Sequence, residues 1–581
     1  MERFFKLNKL DNGLILNCKW NDNTCSVTLK NNSNDDRKIG DITIFTADMM
    51  FSPDTEIYGE GYNMLSQYGG TVREAKLIGS FSDYTHYRLP KPDGINQVYN
   101  VAIFYPQNDE PLLIGFSSCF RFNGVIRFNE KKIEIALNCE NITIKPGEEI
   151  SLEEIYITRG ERNEILNSLA LAIEKNHPKR EFPEIPTGWC SWLAYGPNIT
   201  AQNIYDNLDA IKKNDLDLKY IQIDDGYQAY WGDWLDFTDK FDGGVKKVCL
   251  DIKSKGFEPA IWVAPFVAEK DSKLFKNHPD WFVMDENGDP LRSDAVTFGG
   301  WRCGPWYILD MTNENARDYI STVFKVMRNE WQIKYFKLDA IVWESLPFGK
   351  RHDKNKTSVE AYKMGMQTII DAVGEDSFIL GGNSAMWPSI GVVNGMRVTN
   401  DNCRGWGIFK QLAIECFNRN WQHDKFWIND PDTVLLQNQR LEVVGPDGSV
   451  SYKMGDVTDD EFKFNAAYTL ASGGMVLSSD DVSSLTNENI ELLRKLLPPA
   501  KISATFDDKS FTVGRAKIDD EKTIIYVFNF DDFAKDIKIK VDEKIEVLDL
   551  LENESLGIFD NELVFEKFKP HYAKILVCRR V

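Results

Sequence analysis

The chain has no stretch approaching the roughly 18 consecutive apolar residues of a membrane-spanning helix, so no membrane partner is expected. Its start, Met1-Glu2-Arg3-Phe4-Phe5-Lys6-Leu7, lacks the apolar core and small-residue cleavage site of a secretory leader. No C-x-x-C pair occurs among the ten cysteines, which lie scattered from Cys18 to Cys578. Such spacing reads as reduced thiols in a cytoplasmic protein rather than a disulfide frame. The six histidines form neither H-E-x-x-H nor H-x-H, so no metal site is expected. Positive charge is scarce: 68 Lys+Arg stand against 89 Asp+Glu, a net charge of −21, with no run of five basic residues. No nucleic-acid partner is therefore expected, because neutralising phosphates needs clustered Lys and Arg.

What is present is ample apolar material, 43% hydrophobic and 12% aromatic over 581 residues, enough for more than one core. Up to about residue 170, short alternating runs such as Cys25-Ser26-Val27-Thr28-Leu29 and Lys132-Ile133-Glu134-Ile135-Ala136-Leu137 are separated by Asn, Asp and Gly. That texture predicts an antiparallel β-sandwich. Helical periodicity begins near Glu161, and Pro178 to Pro186 reads as a linker. From Thr187, buried-type strand runs alternate with helix-length amphipathic segments. The runs are Gly188–Leu193, Tyr220–Asp224, Pro259–Pro265, Tyr335–Asp339, Phe378–Gly382, Met396–Asn400, Phe426–Asp430 and Met475–Ser479. Their number is that of a (β/α)8 TIM barrel. After about Pro498, alternation returns in Thr523–Phe528 and Ile537–Val541, a small C-terminal antiparallel β-domain. The expected domains are 1–175, 176–495 and 496–581.

Barrel chemistry sits at the C-terminal strand ends, and acidic residues collect there: Asp224-Asp225, Asp339, Asp401 and Asp430. An isolated Asp at such a place serves equally well as a helix cap. Several together are costly without a ligand, because like charges repel. Asp339 and Asp401 follow strand runs four and six, which can face each other across a barrel mouth. Glycoside hydrolysis needs one carboxylate below the sugar ring and one carboxylic acid at the leaving oxygen. Lys337 shares a strand face with Asp339 and suits holding it ionised, although a structural ion pair reads the same way. Arg397 lies four residues before Asp401. Trp189, Trp192, Trp234 and Trp262 crowd the same ends; Trp262 is the one singled out for sugar stacking, the others being equally at home in a core.

The ordered set Gly188-Trp189-Cys190-Ser191-Trp192, Gln222-Ile223-Asp224-Asp225-Gly226-Tyr227, Gly232-Asp233-Trp234, Trp262-Val263-Ala264-Pro265-Phe266, His278-Pro279-Asp280-Trp281, Lys337-Leu338-Asp339, Gly395-Met396-Arg397 with Asp401, and Trp427-Ile428-Asn429-Asp430-Pro431-Asp432 resembles glycoside hydrolase family 36. The resemblance runs from about Thr187 to Asp481. It implies an N-terminal β-supersandwich, a catalytic barrel and a C-terminal β-domain. It also implies a retaining double displacement on terminal α-galactosides, with neither metal nor cofactor. Asp339 matches the nucleophile and Asp401 the acid/base. Asp224 and Asp225 match the pair gripping O4 and O6, Lys337 and Arg397 match holders of ring hydroxyls, Trp262 matches a stacking platform, and Trp192 a pocket wall. The substrate class is a small α-galactoside or glycan, and homo-oligomers through the β-domains are compatible with the family.

Two departures from the family pattern bear on specificity. A Gly-Cys-Gly type of turn is replaced by Gly381-Gly382-Asn383-Ser384-Ala385, which opens space near C2 and adds the Asn383 amide. That combination suits a 2-acetamido group, hence an α-N-acetylgalactosaminidase; alternatively Asn383 bonds only its own turn. Thr399-Asn400-Asp401-Asn402-Cys403 is more polar than the family's usual run around the acid/base. Tyr58-Gly59-Glu60-Gly61-Tyr62-Asn63 falls where the family places a loop over the sugar, without an assigned role. The sequence thus predicts an α-galactosidase-type hydrolase. An α-N-acetylgalactosaminidase, an α-galactosyl transferase and a non-catalytic glycan-binding protein stand as alternatives.

Overall fold

Alternation in the first third builds two antiparallel sheets. In the strand Thr24–Asn31, Cys25, Val27 and Leu29 are buried while Ser26 faces outward. One sheet has five strands and the other nine, and apolar faces of both enclose a core around Phe45, Phe104, Ile114 and Ile135. Arg37–Asp48 and Lys132–Ile144 pair antiparallel, with register shifts between Ile135 and Ala136 and between Asn138 and Ile142. Such irregularities bend a long pair and let it wrap a core. The computed structural model describes residues 4–444 and 450–581; Met1 to Arg3, part of the segment read for a leader, lie outside the described residues.

Helix α1 (Arg162–Asn176) starts where Glu161 accepts the N–H groups of Asn163 and Glu164, and it buries Ile165, Leu169 and Ile173 along one face. The following segment, expected as a linker, is also a plug. Phe182 and Ile185 pack against the layer of Tyr220, Tyr335, Phe378 and Leu380 inside the barrel, with the Phe182 and Phe378 rings 5.0 Å apart. Arg180 bonds Asn394 (3.0 Å) and Glu375 (2.6 Å), tying the segment to the barrel.

The barrel strands are β1 (Thr187–Cys190), β2 (Tyr220–Ile223), β3 (Glu258–Val263), β4 (Tyr335–Leu338), β5 (Phe378–Gly381), β6 (Gly395–Arg397), β7 (Ile428–Asp430) and β8 (Val476–Ser478). They form one parallel sheet in the order β7-β6-β5-β4-β3-β2-β1-β8. Closure between β7 and β8 rests on Met475 N–H to Asn429 O (2.9 Å) and Val434 N–H to Leu477 O (2.7 Å). Gly474 permits it: a Cβ there would lie 1.8 Å from Asn429 O. Helices α2 (Ala201–Lys213), α3 (Ser358–Val373), α4 (Trp406–Arg419) and α5 (Asp459–Ala471) lie outside the sheet. Thr200, Thr357 and Thr458 open α2, α3 and α5 with reciprocal caps to Asn203, Glu360 and Glu461.

The barrel's outer core runs without a break into the N-terminal part through Tyr58, Tyr62, Tyr99 and Leu113. A buried ion pair reinforces the junction: Arg419 of α4 meets Glu60 at 2.8 Å, both side chains wholly buried, and Gln422 also donates to Glu60 (3.0 Å). The C-terminal residues form a six-stranded antiparallel sheet and a two-stranded one. Lys522–Asn529 covers the first alternating run read there, and Lys535–Lys540 covers the second up to Lys540, one residue short of Val541. Phe528 and Phe530 pack on Phe464 of α5, with ring centroids 5.2 and 5.1 Å apart. Among the described residues no helix is long and apolar enough to cross a membrane.

Candidate active site

Strand alternation aims Gln222 and Asp224, then Lys337 and Asp339, into the same end of the barrel. There a cavity of about 290 Å³ is lined by Asp224, Asp225, Trp262, Lys337, Asp339, Arg397, Asp401, Trp192 and Asn383. The nine residues expected in the catalytic and substrate-binding set are brought to one cavity, whereas Asp430, also read at a strand end, is not among its lining residues. Trp189 and Trp234 are not at it: both are fully buried, Trp189 donating to Asp480 O (2.8 Å) and Trp234 packing on Trp262 at 5.9 Å.

Asp339 follows β4, its N–H bonded to Val263 O (2.9 Å) and its Oδ1 accepting from Ala340 N–H (2.7 Å). Trp262 donates its indole N–H to Asp339 Oδ2 at 3.0 Å. The tryptophan expected as a stacking surface thus also holds a carboxylate. Burial pushes the Asp339 carboxyl up to about 6; Lys337 pulls it down, the Asp401 charge pushes it up, and the Trp262 N–H pulls it down. Lys337, expected beside Asp339, makes its direct contact with Asp224 Oδ2 at 3.0 Å, within a pair almost wholly buried. Its charge reaches Asp339 without a hydrogen bond.

Asp224 also accepts from Gln222 (2.6 Å) and from Asp225 N–H (2.9 Å). Asp225 is occupied by protein donors: Arg302 grips both oxygens (2.8 and 2.6 Å), and Gln228 (2.5 Å) and Trp231 (3.2 Å) add to Oδ1. Asp401, at the end of β6, pairs with Arg397 Nη2 at 2.9 Å. Its side chain is 63% exposed towards the cavity mouth. The surrounding walls act against its ionisation, but the Arg397 and Lys337 charges outweigh them and hold the carboxyl below its ordinary range.

Asn383 has a left-handed φ of +43° and is buried. Its Oδ1 accepts from the Tyr87 hydroxyl (2.7 Å), which turns the amide NH2 away from that partner. Gly382 leaves room beside Asp339: a Cβ there would lie 3.7 Å from Asp339 Oδ1. The segment Tyr58 to Asn63 carries the Glu60 ion pair and an antiparallel bridge from Asn63 to Ala385. The chain then continues into Met64 and Leu65, which do line the cavity.

Sequence reasoning missed the remaining wall, formed by Phe81, His86, Phe298 and Trp301. His86 stacks on Phe298 at 3.6 Å and on Phe81 at 4.4 Å, and burial lowers it to about 4, so the ring is neutral at pH 7. Trp301 is 42% exposed. Two aromatics in the glycine-rich run Phe298-Gly299-Gly300-Trp301-Arg302-Cys303-Gly304 were the available signal, since such a loop has little other reason to carry them. Nothing local to residues 81 to 87 marks them as site residues.

The family model for Melibiase matches residues 184–378. A 162-residue segment is 30% identical to the A type blood alpha-D-galactosamine galactosaminidase of Flavonifractor plautii, covering 27% of this chain and 14% of that protein. A 124-residue segment is 33% identical to an alpha-galactosidase of Escherichia coli, covering 20% of this chain and 16% of that one. The matched part thus spans under a fifth of either relative. Among solved structures, the GH36 alpha-galactosidase AgaA of Geobacillus stearothermophilus superposes with a TM-score of 0.66 at 13% identity, over 96% of this chain and 79% of that one.

Proposed function

We propose that this chain, similar to the melibiase family over residues 184–378 and of glycoside hydrolase family 36 type, is an exo-acting α-glycoside hydrolase releasing terminal α-linked galactose. The observation that carries this reading is the convergence of Asp339 and Asp401, from the ends of β4 and β6, on one cavity furnished with Lys337, Arg397 and tryptophan. Asp339 is the nucleophile. Its carboxylate attacks the anomeric carbon as Asp401 gives a proton to the departing oxygen. Water then cleaves the glycosyl ester as Asp401 takes the proton back. Asp224, Lys337 and Arg397 hold ring hydroxyls, and Trp192 and Trp262 bound the ring. Asp225 acts chiefly by holding Arg302, the residue after the cavity-lining Trp301. The ten unpaired thiols support a reducing compartment.

The carboxyl directions support a particular proton distribution. With Asp339 raised to about 6 and Asp401 below its ordinary range, the one proton held by the pair resides mainly on Asp339. The productive arrangement, Asp339 ionised and Asp401 protonated, is the minor partition of that singly protonated state. Activity per free enzyme is then greatest below about pH 6 and declines as the last proton leaves.

One observation favours a second reading, hydrolysis of 2-acetamido sugars. The Asn383 amide, oriented by Tyr87 next to the open Gly382, presents a donor where an acetamido carbonyl can accept it. The galactosaminidase relative supports a 2-substituted ring. The test compares p-nitrophenyl α-D-galactoside with its 2-acetamido counterpart. A preference for the first makes the protein an α-galactosidase, and a preference for the second assigns the Gly382–Asn383 turn to the acetamido group. Silence on both overturns the proposal.

A further inference from the structure

At the end of β7 the chain turns through Pro431 to Asp432, which has a left-handed φ of +70°, rare outside glycine. Its N–H donates to Asp430 Oδ1 (2.9 Å), closing the turn. Its buried carboxylate does two things at once. Oδ2 accepts the backbone N–H of Asn402, the residue after Asp401, at 2.6 Å, and the same oxygen lies 3.2 Å from Arg397 Nη2. That guanidinium nitrogen also reaches Asp401 Oδ1 at 2.9 Å. Asn402 ties the two loops again by donating to Thr433 O (2.8 Å). Asp432 is not among the residues lining the sugar cavity.

We infer that Asp432 is a positioning residue for Asp401: it anchors the backbone behind the acid/base and shares the Arg397 cation with it. This rests on the hydrolase reading above. Two carboxylates on one guanidinium nitrogen divide its charge. Without Asp432, Arg397 acts on Asp401 undiluted and strips it of its proton more readily. The other charged or titratable groups facing this cluster are Cys190 from β1, Lys337 and Tyr335 from β4 with Asp339 just after it, Cys416 from α4, Asp430 from β7 and Tyr468 from α5. Lys337 is committed to Asp224, so Arg397 is the cation that both carboxylates contact.

Asp432→Asn keeps an acceptor for Asn402 N–H and removes the charge. On a poor leaving group such as a methyl or disaccharide α-galactoside, its kcat/KM falls about tenfold and its acid limb moves down by about one pH unit. On a dinitrophenyl α-galactoside, which departs without a proton, kcat/KM barely changes. An unmoved acid limb, or equal losses on both substrates, overturns the inference. If Asp432→Asn does not fold, Asp432→Glu decides. The longer side chain keeps the charge but moves it off Asn402 N–H and Arg397, lowering kcat/KM on the poor leaving group and sparing the dinitrophenyl substrate, and wild-type values on both overturn the inference. Wild-type protein inactive on both substrates would instead strike the hydrolase reading, so the two failures are distinguishable.

Discussion

Replacing Trp262 with Phe tests the electrostatics of the site at a single hydrogen bond. The indole N–H, 3.0 Å from Asp339 Oδ2, favours the ionised carboxylate. A hydrogen bond to a charged acceptor contributes about 1.5–3 kcal/mol. Its loss therefore raises the Asp339 pKa by roughly one to two units, at about 1.4 kcal/mol per unit. The sign follows from the proton distribution. A higher Asp339 pKa moves the alkaline limb of kcat/KM upward from about 6. It also shrinks the share of enzyme with Asp339 ionised and Asp401 protonated, so the plateau falls roughly ten- to a hundredfold. The assay is kcat/KM for p-nitrophenyl α-D-galactoside from pH 4 to 9, with a thermal melt to confirm folding. Phe retains most of the ring packing against Trp231 (5.1 Å) and Trp234 (5.9 Å). An alkaline limb that stays in place, or moves down, refutes the reasoning.

Asp339→Gly is expected to abolish turnover of aryl α-galactosides, with added azide restoring some β-galactosyl azide; near-full activity without azide removes Asp339 as nucleophile. Gly382→Cys tests the C2 reading: its Cβ would lie 3.3 Å from Leu338 O, so that backbone has to give by a few tenths of an ångström, and a thermal melt checks the fold. Its crowding should cost about 1–3 kcal/mol of transition-state binding for a 2-acetamido substrate and little for the plain galactoside; equal losses on both place the C2 substituent elsewhere. Arg419→Met strands the buried Glu60 carboxylate, and denaturant unfolding should show a loss of about 3–5 kcal/mol. A change below about 1 kcal/mol, the scale of a surface pair, would show that the junction does not depend on this pair.

The barrel was legible because its strands are short buried runs ending in acid, a pattern that burial and strand-end chemistry impose together. Tyr335–Asp339 and Phe378–Gly382 were each placed within one residue of β4 and β5. The anchors Asp224, Asp339 and Asp401 followed from the same logic. Partners across the barrel were not legible. Lys337 sits two residues from Asp339, yet its ammonium bonds Asp224 just past β2, two strands away, because distance along the chain says nothing about how far across the barrel a long side chain reaches. Arg302 on Asp225 and Tyr87 on Asn383 are contacts over 77 and 296 residues. Pro178 to Pro186 illustrates a different limit: proline marks a break in regular structure equally well in a tether and in a packed plug.

The ion pair between Glu60 and Arg419 joins positions 359 residues apart, and Met64, Leu65, Phe81 and His86 wall a cavity that Asp401 completes more than 300 residues later. During synthesis the N-terminal sheets emerge first and carry one side of the pocket long before the other exists. Turnover by this protein is accordingly a report on assembly: a nascent or truncated chain stopping short of α4 holds the wall but not the residue that locks it in place. Release of product from a growing population of chains would time the moment at which the two distant segments meet.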